Sequence, residues 1–207
     1  MHMLTAFRRL WVLIFALSLS SLAQAAQRPD PAVMVKHTSD QVVAALKGKD
    51  FSSPEKKAEL LKLVDEIVLP HFDFTRMSQW VMARHWRTMS PAQQQRFVQL
   101  FRDLLVRTYS NSLASYRDQR ILVTGTSHDS GSGDALVRMV VKQTGGQSDI
   151  PIVYRLYWNG SEWKVFDVTI DAVSLVTNYR ASFGRIASQQ GVDALLNRLE
   201  QRAQQAQ

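Results

Sequence analysis

Apolar side chains recur at three- and four-residue steps along the first part of the chain, which is the pattern of helices that bury one face. Residues 31–47 form the first such segment, and Gly48 follows it. The second segment begins at Ser53-Pro54, where a side chain that can cap a helix precedes a proline at the first helical position. Pro70 ends this segment, because proline cannot continue a helix.

A third helix is predicted over residues 74–88, and the strongest helix signal of the chain follows it. Ser90 can cap a helix and Gln93 comes three residues later, which is the spacing of a capping box. Apolar and aromatic side chains then recur at helical steps, at Phe97, Leu100, Phe101, Leu104, Leu105, Tyr109, Leu113 and Tyr116. The pattern predicts an amphipathic helix of about seven turns.

From Ile121 the period changes to two, which is typical of strands with one buried face. Short polar connections separate the predicted strands, among them Gly145-Gly146 and Asn159-Gly160. An Asn-Gly pair between strands favours a two-residue type I′ turn, because both central residues of that turn have positive φ. The predicted apolar face holds Val137, Met139, Val141, Ile152, Tyr154, Leu156, Phe166, Val168, Ile170 and Ala172.

The helical pattern resumes from about Leu175 to Gly191 and again from Val192 towards the Gln-rich end. The predicted fold class is therefore α+β, with N-terminal helices, a four-stranded antiparallel meander sheet and C-terminal helices. The apolar face of the sheet needs a cover, and the long helix and the terminal helices are expected to supply it. Periodicity does not decide whether the side chains between these layers fill the space or line a cavity.

The start of the chain has the pattern of a secretory signal peptide. Two arginines precede an apolar run over residues 10–22, and Ala-Gln-Ala at 23–25 matches a small-x-small cleavage site. The run is shorter than the ~20 residues that a membrane-spanning helix needs. We predict that residues 1–25 are removed and that residues 26–207 form one exported domain in the periplasm.

Composition narrows the possible functions. The chain has no cysteine, which excludes disulfides, thiolate metal sites and a cysteine nucleophile. The formal net charge is +7, and removal of Arg8 and Arg9 reduces it by two, to +5. The basic side chains are scattered rather than arranged in a stripe, so nucleic acid is not expected as a partner. A mild positive charge does favour anionic membranes or acidic protein surfaces.

No set of residues typical of catalysis or of a metal site stands out. The histidines of the mature chain are His37, His71, His85 and His128, and their spacing matches no metal-binding motif. Asp167 and Asp171 lie on one predicted strand and could act as acid and base if a cleft separated their pKa values. Carboxylates on a half-buried strand are more often solvated, so we expect no catalytic residue, no metal and no cofactor.

Six short motifs follow one another between residues 72 and 183, with the helix through Leu104 and Tyr109 between the third and the fourth, and the likeness as a whole covers nearly all of residues 30–200. They are Phe72-Asp73-Phe74, Arg84-His85-Trp86-Arg87, Ser90-Pro91-x-x-Gln94-x-x-Phe97, Pro151-x-Val153-Tyr154-x-Leu156, Trp163-Lys164-Val165-Phe166-Asp167-Val168-x-Ile170 and Val173-Ser174-Leu175-x-x-Asn178-Tyr179-Arg180-x-x-Phe183. As a set they resemble the MlaC family of periplasmic phospholipid-binding carriers of the toluene-tolerance type. Ala83 and Ala172 stand where glycine would be expected in many relatives, and we interpret both replacements as conservative.

The resemblance implies an apolar pocket enclosed by the sheet and helices, with phospholipid as cargo and no catalytic turnover. It implies a monomer that shuttles lipid between an outer-membrane lipoprotein–porin complex and an inner-membrane ABC transporter, and so maintains outer-membrane lipid asymmetry. Arg84 and Arg180 are the candidates for contact with the lipid head group. The facing of strands and helices suggests a pocket lined by Phe97, Leu100, Phe101, Leu104, Tyr109, Val137, Met139, Val141, Ile152, Tyr154, Leu156, Phe166, Val168, Ile170, Tyr179 and Phe183.

Two other functions remain compatible with the sequence. A small-molecule enzyme on a cone-shaped α+β fold would need Asp167 or Asp171 in the pocket, and strand alternation places both opposite the apolar face. A protein-binding adaptor with a solid core would need no pocket at all. Lipid content of the purified protein distinguishes the carrier from both.

Overall fold

The computed structural model describes residues 28–51, 53–116, 119–129 and 131–205, and the predicted signal peptide with its cleavage site lies outside them. The α-helices are α1 (Pro31–Leu46), α2 (Pro54–Leu63), α3 (Phe74–Met82), α4 (Pro91–Ala114), α5 (Leu175–Gln190) and α6 (Val192–Gln205). The strands are β1 (Arg120–His128), β2 (Ala135–Lys142), β3 (Ile150–Trp158), β4 (Trp163–Ile170) and β5 (Val173–Ser174). They form an antiparallel sheet in chain order. The predicted α+β class is confirmed, with a short fifth strand that was not predicted.

Side-chain caps begin the helices where the sequence indicates. At the start of α4 the Gln93 N–H donates to Ser90 Oγ at 3.2 Å, and the Ser90 N–H donates to Gln93 Oε1 at 2.9 Å, which is the predicted capping box. Asp30, Ser53 and Ser174 cap α1, α2 and α5 through their side-chain oxygens. These caps satisfy N–H groups that have no partner within the first helical turn.

The segments between α2 and α4 are less regular than predicted. The predicted helix up to Pro70 is α-helical only through α2, and continues as a π-helical turn, Val64–Val68, and a 3₁₀ turn, Leu69–His71. Likewise α3 is followed by a 3₁₀ helix, Ala83–Thr88, within the segment predicted as one helix. π turns are frequent at functional sites, and this one borders the cavity of the protein.

Helix α1, one of the terminal helices, packs across β1 and β2. The long helix α4 packs on α6 and α3, and its C-terminal end approaches the sheet through Leu113. Among the described residues, the side-chain hydrogen bond between α1 and the sheet is a weak contact of Ser39 Oγ with Met139 Sδ at 3.5 Å. Apolar contacts therefore hold the body of α1, whereas the chain just before the helix is fixed to β4 by the Trp163 indole N–H, which donates to the Pro29 carbonyl oxygen at 2.6 Å.

Stronger polar bonds fix α5 to its neighbours. Asp167 of β4 accepts hydrogen bonds from Ser174 Oγ at 2.7 Å and from the Val176 N–H at 3.1 Å, at the first turn of α5. Further along α5, Arg180 Nε donates to the Trp80 carbonyl oxygen of α3 at 2.6 Å. Polar hydrogen bonds therefore fix α5 to its neighbours, whereas α1 rests on the sheet mainly through apolar contacts.

Strand β4 departs from simple alternation. Its register with β3 shifts between Arg155 and Leu156, so that Val165 lies opposite Leu156 and Phe166 has no direct partner. This is the geometry of a β-bulge, which turns the following side chains to the other face. The prediction that Phe166 shares the face of Val168 is therefore wrong, and Val165 takes that position.

The connection between β3 and β4 is also wider than predicted. The Asn159 N–H donates to the Glu162 carbonyl oxygen at 3.1 Å. The Asn159 side-chain oxygen accepts from the N–H groups of Ser161 and Glu162, both at 2.9 Å. Gly160 has a φ of 107° whereas Asn159 has no positive φ, so the predicted type I′ turn is wrong. The asparagine side chain closes a four-residue loop instead.

Two alanines adopt backbone conformations that favour glycine. Ala83 has φ 47° and ψ −117°, and Ala172 has φ 64° next to Asp171 at φ 47°, in the tight turn from β4 to β5. Ala172 therefore lies in this turn and not on the strand face predicted for it. A Cβ atom in the left-handed region costs about 1–2 kcal/mol. These are the two positions where the resemblance leads one to expect glycine, so the interpretation of both replacements as conservative is wrong for the backbone.

We expect Ala83→Gly to raise the free energy of unfolding by about 1 kcal/mol, because it removes the strain of the Cβ atom. That gain corresponds to a rise of about 2–4 °C in Tm for a protein of this size, measured by thermal unfolding followed by circular dichroism. Ala181→Gly is the control, since Ala181 is exposed inside α5 and its replacement should destabilise by about 1 kcal/mol. A Tm lowered by Ala83→Gly would contradict the strained conformation.

Candidate functional site: an apolar cavity beneath helix α1

A cavity of about 210 Å³ lies between α1, the π and 3₁₀ turns after α2, the end of α4 and one face of the sheet. Its lining is formed by Met34, Val35, Thr38, Ser39, Val42, Val68, His71, Phe72, Leu113, Ile121, Met139, Val141, Ile152, Tyr154 and Val165. The lining carries no Lys, Arg, Asp or Glu. The space is therefore suited to an apolar molecule.

Strand alternation accounts for the sheet side of the cavity. Met139 and Val141 are two residues apart on β2, and Ile152 and Tyr154 are two apart on β3, so each pair points to one face. The register places Met139 directly opposite Ile152, which joins the two pairs into one apolar surface. These four residues were predicted to line the pocket.

Helix α1 supplies the opposite wall, which the sequence analysis missed. Met34, Val35, Thr38, Ser39 and Val42 follow one another at steps of one and three residues, which places them on one side of the helix. The two hydroxyl groups turn back onto α1: Ser39 Oγ donates to the Val35 carbonyl oxygen at 2.8 Å, and Thr38 Oγ1 lies 3.9 Å from Met34 Sδ. The spacing was visible in the sequence, but the hydroxyls interrupt its apolar character.

Tyr154 brings a polar atom into the apolar lining. Tyr154 is half-buried and lines the cavity. Burial raises the pKa of Tyr154 to about 12, so the hydroxyl keeps its proton at neutral pH. In the part of the chain that the structure describes, no hydrogen-bond partner lies within reach of this hydroxyl.

His71 borders the same cavity and is half-buried. Burial lowers its pKa, the positive charge of Lys164 lowers it further, and the negative charge of Glu162 opposes these effects. Lys164 is held close by, since its Nζ donates to the Pro70 carbonyl oxygen at 2.5 Å. The neutral imidazole is therefore favoured, and the cavity carries no fixed charge.

A second, much smaller void of about 10 Å³ adjoins the cavity between α1 and α2. The two share Val42, Val68 and Leu113 in their linings, and the remaining residues around the void are all aliphatic. The apolar contact surface beneath α1 therefore continues along the helix beyond the cavity. Outward movement of α1 would open both spaces together.

The structure brings four of the predicted lining residues to the cavity and leaves the others in or against the core around it. The four are Met139, Val141, Ile152 and Tyr154. The others are Phe97, Leu100, Phe101, Leu104, Tyr109, Val137, Leu156, Phe166, Val168, Ile170, Tyr179 and Phe183. Contact of the latter group with a ligand stays a prediction.

The aromatic side chains of α4 and α5 form a packed cluster of their own. The ring of Phe101 lies 5.7 Å from Phe97, 5.3 Å from Tyr179 and 6.1 Å from Phe183, centroid to centroid. Phe97 and Phe101 are fully buried. These rings fill the space between the helices and join α4 to α5.

The predicted head-group residues lie at the junction of α5 with α3 and the 3₁₀ helix after it, and neither lines the cavity. Arg84 donates to Ser188 Oγ at 3.0 Å, and Arg180 donates to the Trp80 carbonyl oxygen. Both side chains are exposed. Their contact with a head group stays a prediction.

The carboxylates that an enzyme would need lie outside the cavity as well. Asp167 is 5% exposed and caps α5, whereas Asp171 is exposed in the turn before β5. Their placement does not form an acid–base pair in a cleft, so it gives the enzyme alternative no support.

In the described part of the chain, no three His, Asp or Glu side chains converge as they would around a metal ion. Nor does any helix in those ranges combine the length and apolar character needed to cross a membrane.

An α+β domain with an apolar cavity between a helix and a sheet defines a class of protein that can enclose an apolar molecule. The chain belongs to the MlaC protein family, whose model matches residues 36–201. The resemblance predicted from the six motifs is thereby confirmed.

Individual relatives are similar over most of their length. The toluene tolerance protein ttg2D of Pseudomonas putida is 30% identical over 194 residues, which cover 92% of this chain and 87% of that one. The intermembrane phospholipid transport system binding protein MlaC of Haemophilus influenzae is 22% identical over 179 residues, covering 84% and 83%. A phospholipid-binding protein from Ralstonia solanacearum, solved in complex with a phospholipid, is 31% identical with a TM-score of 0.75, and covers 86% of this chain and 98% of its own.

Proposed function

We propose that this protein is a phospholipid carrier that holds the acyl chains of its cargo in the cavity beneath α1. The observation that carries the proposal is the uncharged, apolar lining between α1 and the sheet. Relatives named for phospholipid binding and transport support it, as does the relative solved with a phospholipid.

The physical need for such a carrier follows from the cargo. Two acyl chains hold roughly thirty methylene groups, and each contributes about 0.8 kcal/mol when it leaves water. Exposure of the chains to water therefore costs on the order of 20 kcal/mol, and free lipid does not cross an aqueous space quickly. A carrier has to cover nearly all of that surface, which requires an enclosed apolar space.

The cavity has to expand to hold this cargo. Its volume of about 210 Å³ is below the ~300–1,000 Å³ of pockets for small ligands. Helix α1 is the wall best placed to move, because apolar contacts hold it and the adjoining void extends along it. Lipid binding then selects the opened arrangement and fills it.

The protein acts in the periplasm as a monomer, with phospholipid as cargo and no cofactor. It carries lipid between an outer-membrane lipoprotein–porin complex and an inner-membrane ABC transporter, and so maintains the lipid asymmetry of the outer membrane. The signal-peptide pattern of residues 1–25 supports the location. The intermembrane transport system named for the Haemophilus relative supports the route.

Native mass spectrometry of the mature protein, purified from the periplasm without detergent, tests this function. We expect a stoichiometric adduct that lipid extraction identifies as phospholipid, because the cavity does not release acyl chains into water. A clean apo mass, with no uptake from labelled liposomes, would contradict the carrier and favour the adaptor or enzyme alternative.

A further inference from the structure

The hydroxyl of Tyr154 and the imidazole of His71 are the polar side-chain groups of the cavity lining for which the described residues provide no hydrogen-bond partner. Tyr154 lies in the middle of β3, between Val137 of β2 and Val168 of β4, so its neighbours across the sheet offer no side-chain acceptor. Among the described residues no other group bonds to the hydroxyl. Buried tyrosine hydroxyls usually find a partner, so this one calls for a physical explanation.

The other hydroxyl groups of the lining do not supply that partner. Ser39 Oγ donates to the Val35 carbonyl oxygen of its own helix, and Thr38 Oγ1 lies against Met34 Sδ. Ser39 Oγ also lies 3.5 Å from Met139 Sδ of β2, and neither hydroxyl bonds to Tyr154. A hydroxyl that borders an apolar cavity without a protein partner is free to donate to a bound molecule that offers an acceptor.

The chemistry of the cavity decides which lipid atom can be the acceptor. No Lys or Arg side chain lines the cavity, and the neutral form of His71 is favoured there. A phosphate group would therefore lie in the cavity without a compensating charge, which is strongly unfavourable. The ester carbonyl oxygens are uncharged acceptors at the head of the acyl chains, and they can enter an apolar space if one donor meets them.

We propose that the Tyr154 hydroxyl donates a hydrogen bond to an ester carbonyl oxygen of the bound lipid. This inference rests on the proposed carrier function and adds a chemical preference to it. The cavity then distinguishes ester-linked from ether-linked lipids of the same chain length and head group, because an ether-linked chain has no carbonyl oxygen at that place.

The test compares two phospholipids, one diester and one diether, with identical head groups and chain lengths. Delipidated wild-type protein should bind the diester about two- to tenfold more tightly, the range of one neutral hydrogen bond. Tyr154→Phe should lose this preference and bind the diether as wild type does. Affinities are measured by competition for uptake from vesicles of each lipid mixed with a fluorescent phospholipid.

Tyr157→Phe is the matched control. Tyr157 lies on the same strand, but its hydroxyl donates to the Asp73 carboxylate outside the cavity lining. This variant should keep the preference for the diester. Circular dichroism and thermal unfolding verify that both variants are folded before affinities are compared.

A spectroscopic measurement reports on the bond itself. With ¹³C-labelled ester carbonyls, the infrared carbonyl band of lipid bound to wild type should lie at lower frequency than the band of lipid bound to Tyr154→Phe. Equal effects of Tyr154→Phe on both lipids, or no change in the band, would overturn the inference while leaving the carrier function intact. Failure of wild type to take up either lipid would overturn the carrier function as well.

Discussion

Ile152→Trp is expected to abolish phospholipid uptake while the protein stays folded. Ile152 lies in the centre of the cavity lining on β3, and an indole ring there occupies space that the acyl chains need. If the ring excludes four methylene groups, the loss is about 3 kcal/mol, which weakens binding roughly 200-fold. Because the ring fills an existing void, Tm should stay close to that of wild type. Uptake from labelled liposomes and thermal unfolding measure the two effects separately.

Val153→Trp is the matched control for this variant. Val153 is the next residue on the same strand, opposite Arg138 and Thr169, and its side chain points away from the cavity. The same large side chain should leave lipid uptake near the wild-type level there. Normal uptake by Ile152→Trp would show that the cargo does not occupy the cavity beneath α1.

Phe101→Ala is expected to destabilise the protein by about 3–5 kcal/mol, the range for removal of a buried phenylalanine ring. Phe101 is fully buried and its ring contacts those of Phe97, Tyr179 and Phe183. The loss corresponds to a fall in Tm of about 10 °C or more, measured on delipidated protein. Below the unfolding transition the variant should still bind phospholipid, because Phe101 does not line the cavity.

The control for this prediction is Gln99→Ala on the exposed side of the same helix, which should change stability by less than about 0.5 kcal/mol. Complete loss of lipid binding by folded Phe101→Ala would place the acyl chains among the α4 and α5 rings. The lipid site would then be the one predicted from the apolar faces of α4 and α5, and not the cavity beneath α1.

Local signals explain which parts of the fold could be predicted. The capping box of Ser90 and Gln93 involves residues three apart, so it can be predicted from the sequence alone. The long amphipathic helix and the strand order follow from such signals and from periodicity. Both depend on neighbours along the chain rather than on contacts across the fold.

Irregular features depend on tertiary contacts and could not be predicted in the same way. The bulge in β4 turns Phe166 towards α3, and the centroid of the Phe166 ring lies 5.6 Å from that of Trp80. The tight turn at Asp171 and Ala172 forms without a glycine, so no turn signal marks it. In both places tertiary contacts override the conformation that the local sequence favours. These contacts join residues far apart in the chain, so a single sequence does not show them.

The candidate site shows the same division. Alternation on β2 and β3 correctly indicated the face that carries Met139 and Tyr154, but it could not distinguish a lining side chain from a packed one. The aromatic residues of α4 look similar to lining residues in sequence because both groups are apolar at helical steps. Helix α1 was missed since Thr38 and Ser39 interrupt its apolar face.

The attachment of α1 determines how tolerant the carrier is of its cargo. Hydrogen bonds such as those between Asp167 and α5 require particular distances and angles, whereas the apolar contacts under α1 require only that water be excluded. A wall of the second kind can settle at different heights above the sheet with little change in energy, as long as hydrocarbon fills the gap. Membranes contain acyl chains of mixed length and unsaturation, and we expect a wall held in this way to let a single protein accommodate the mixture.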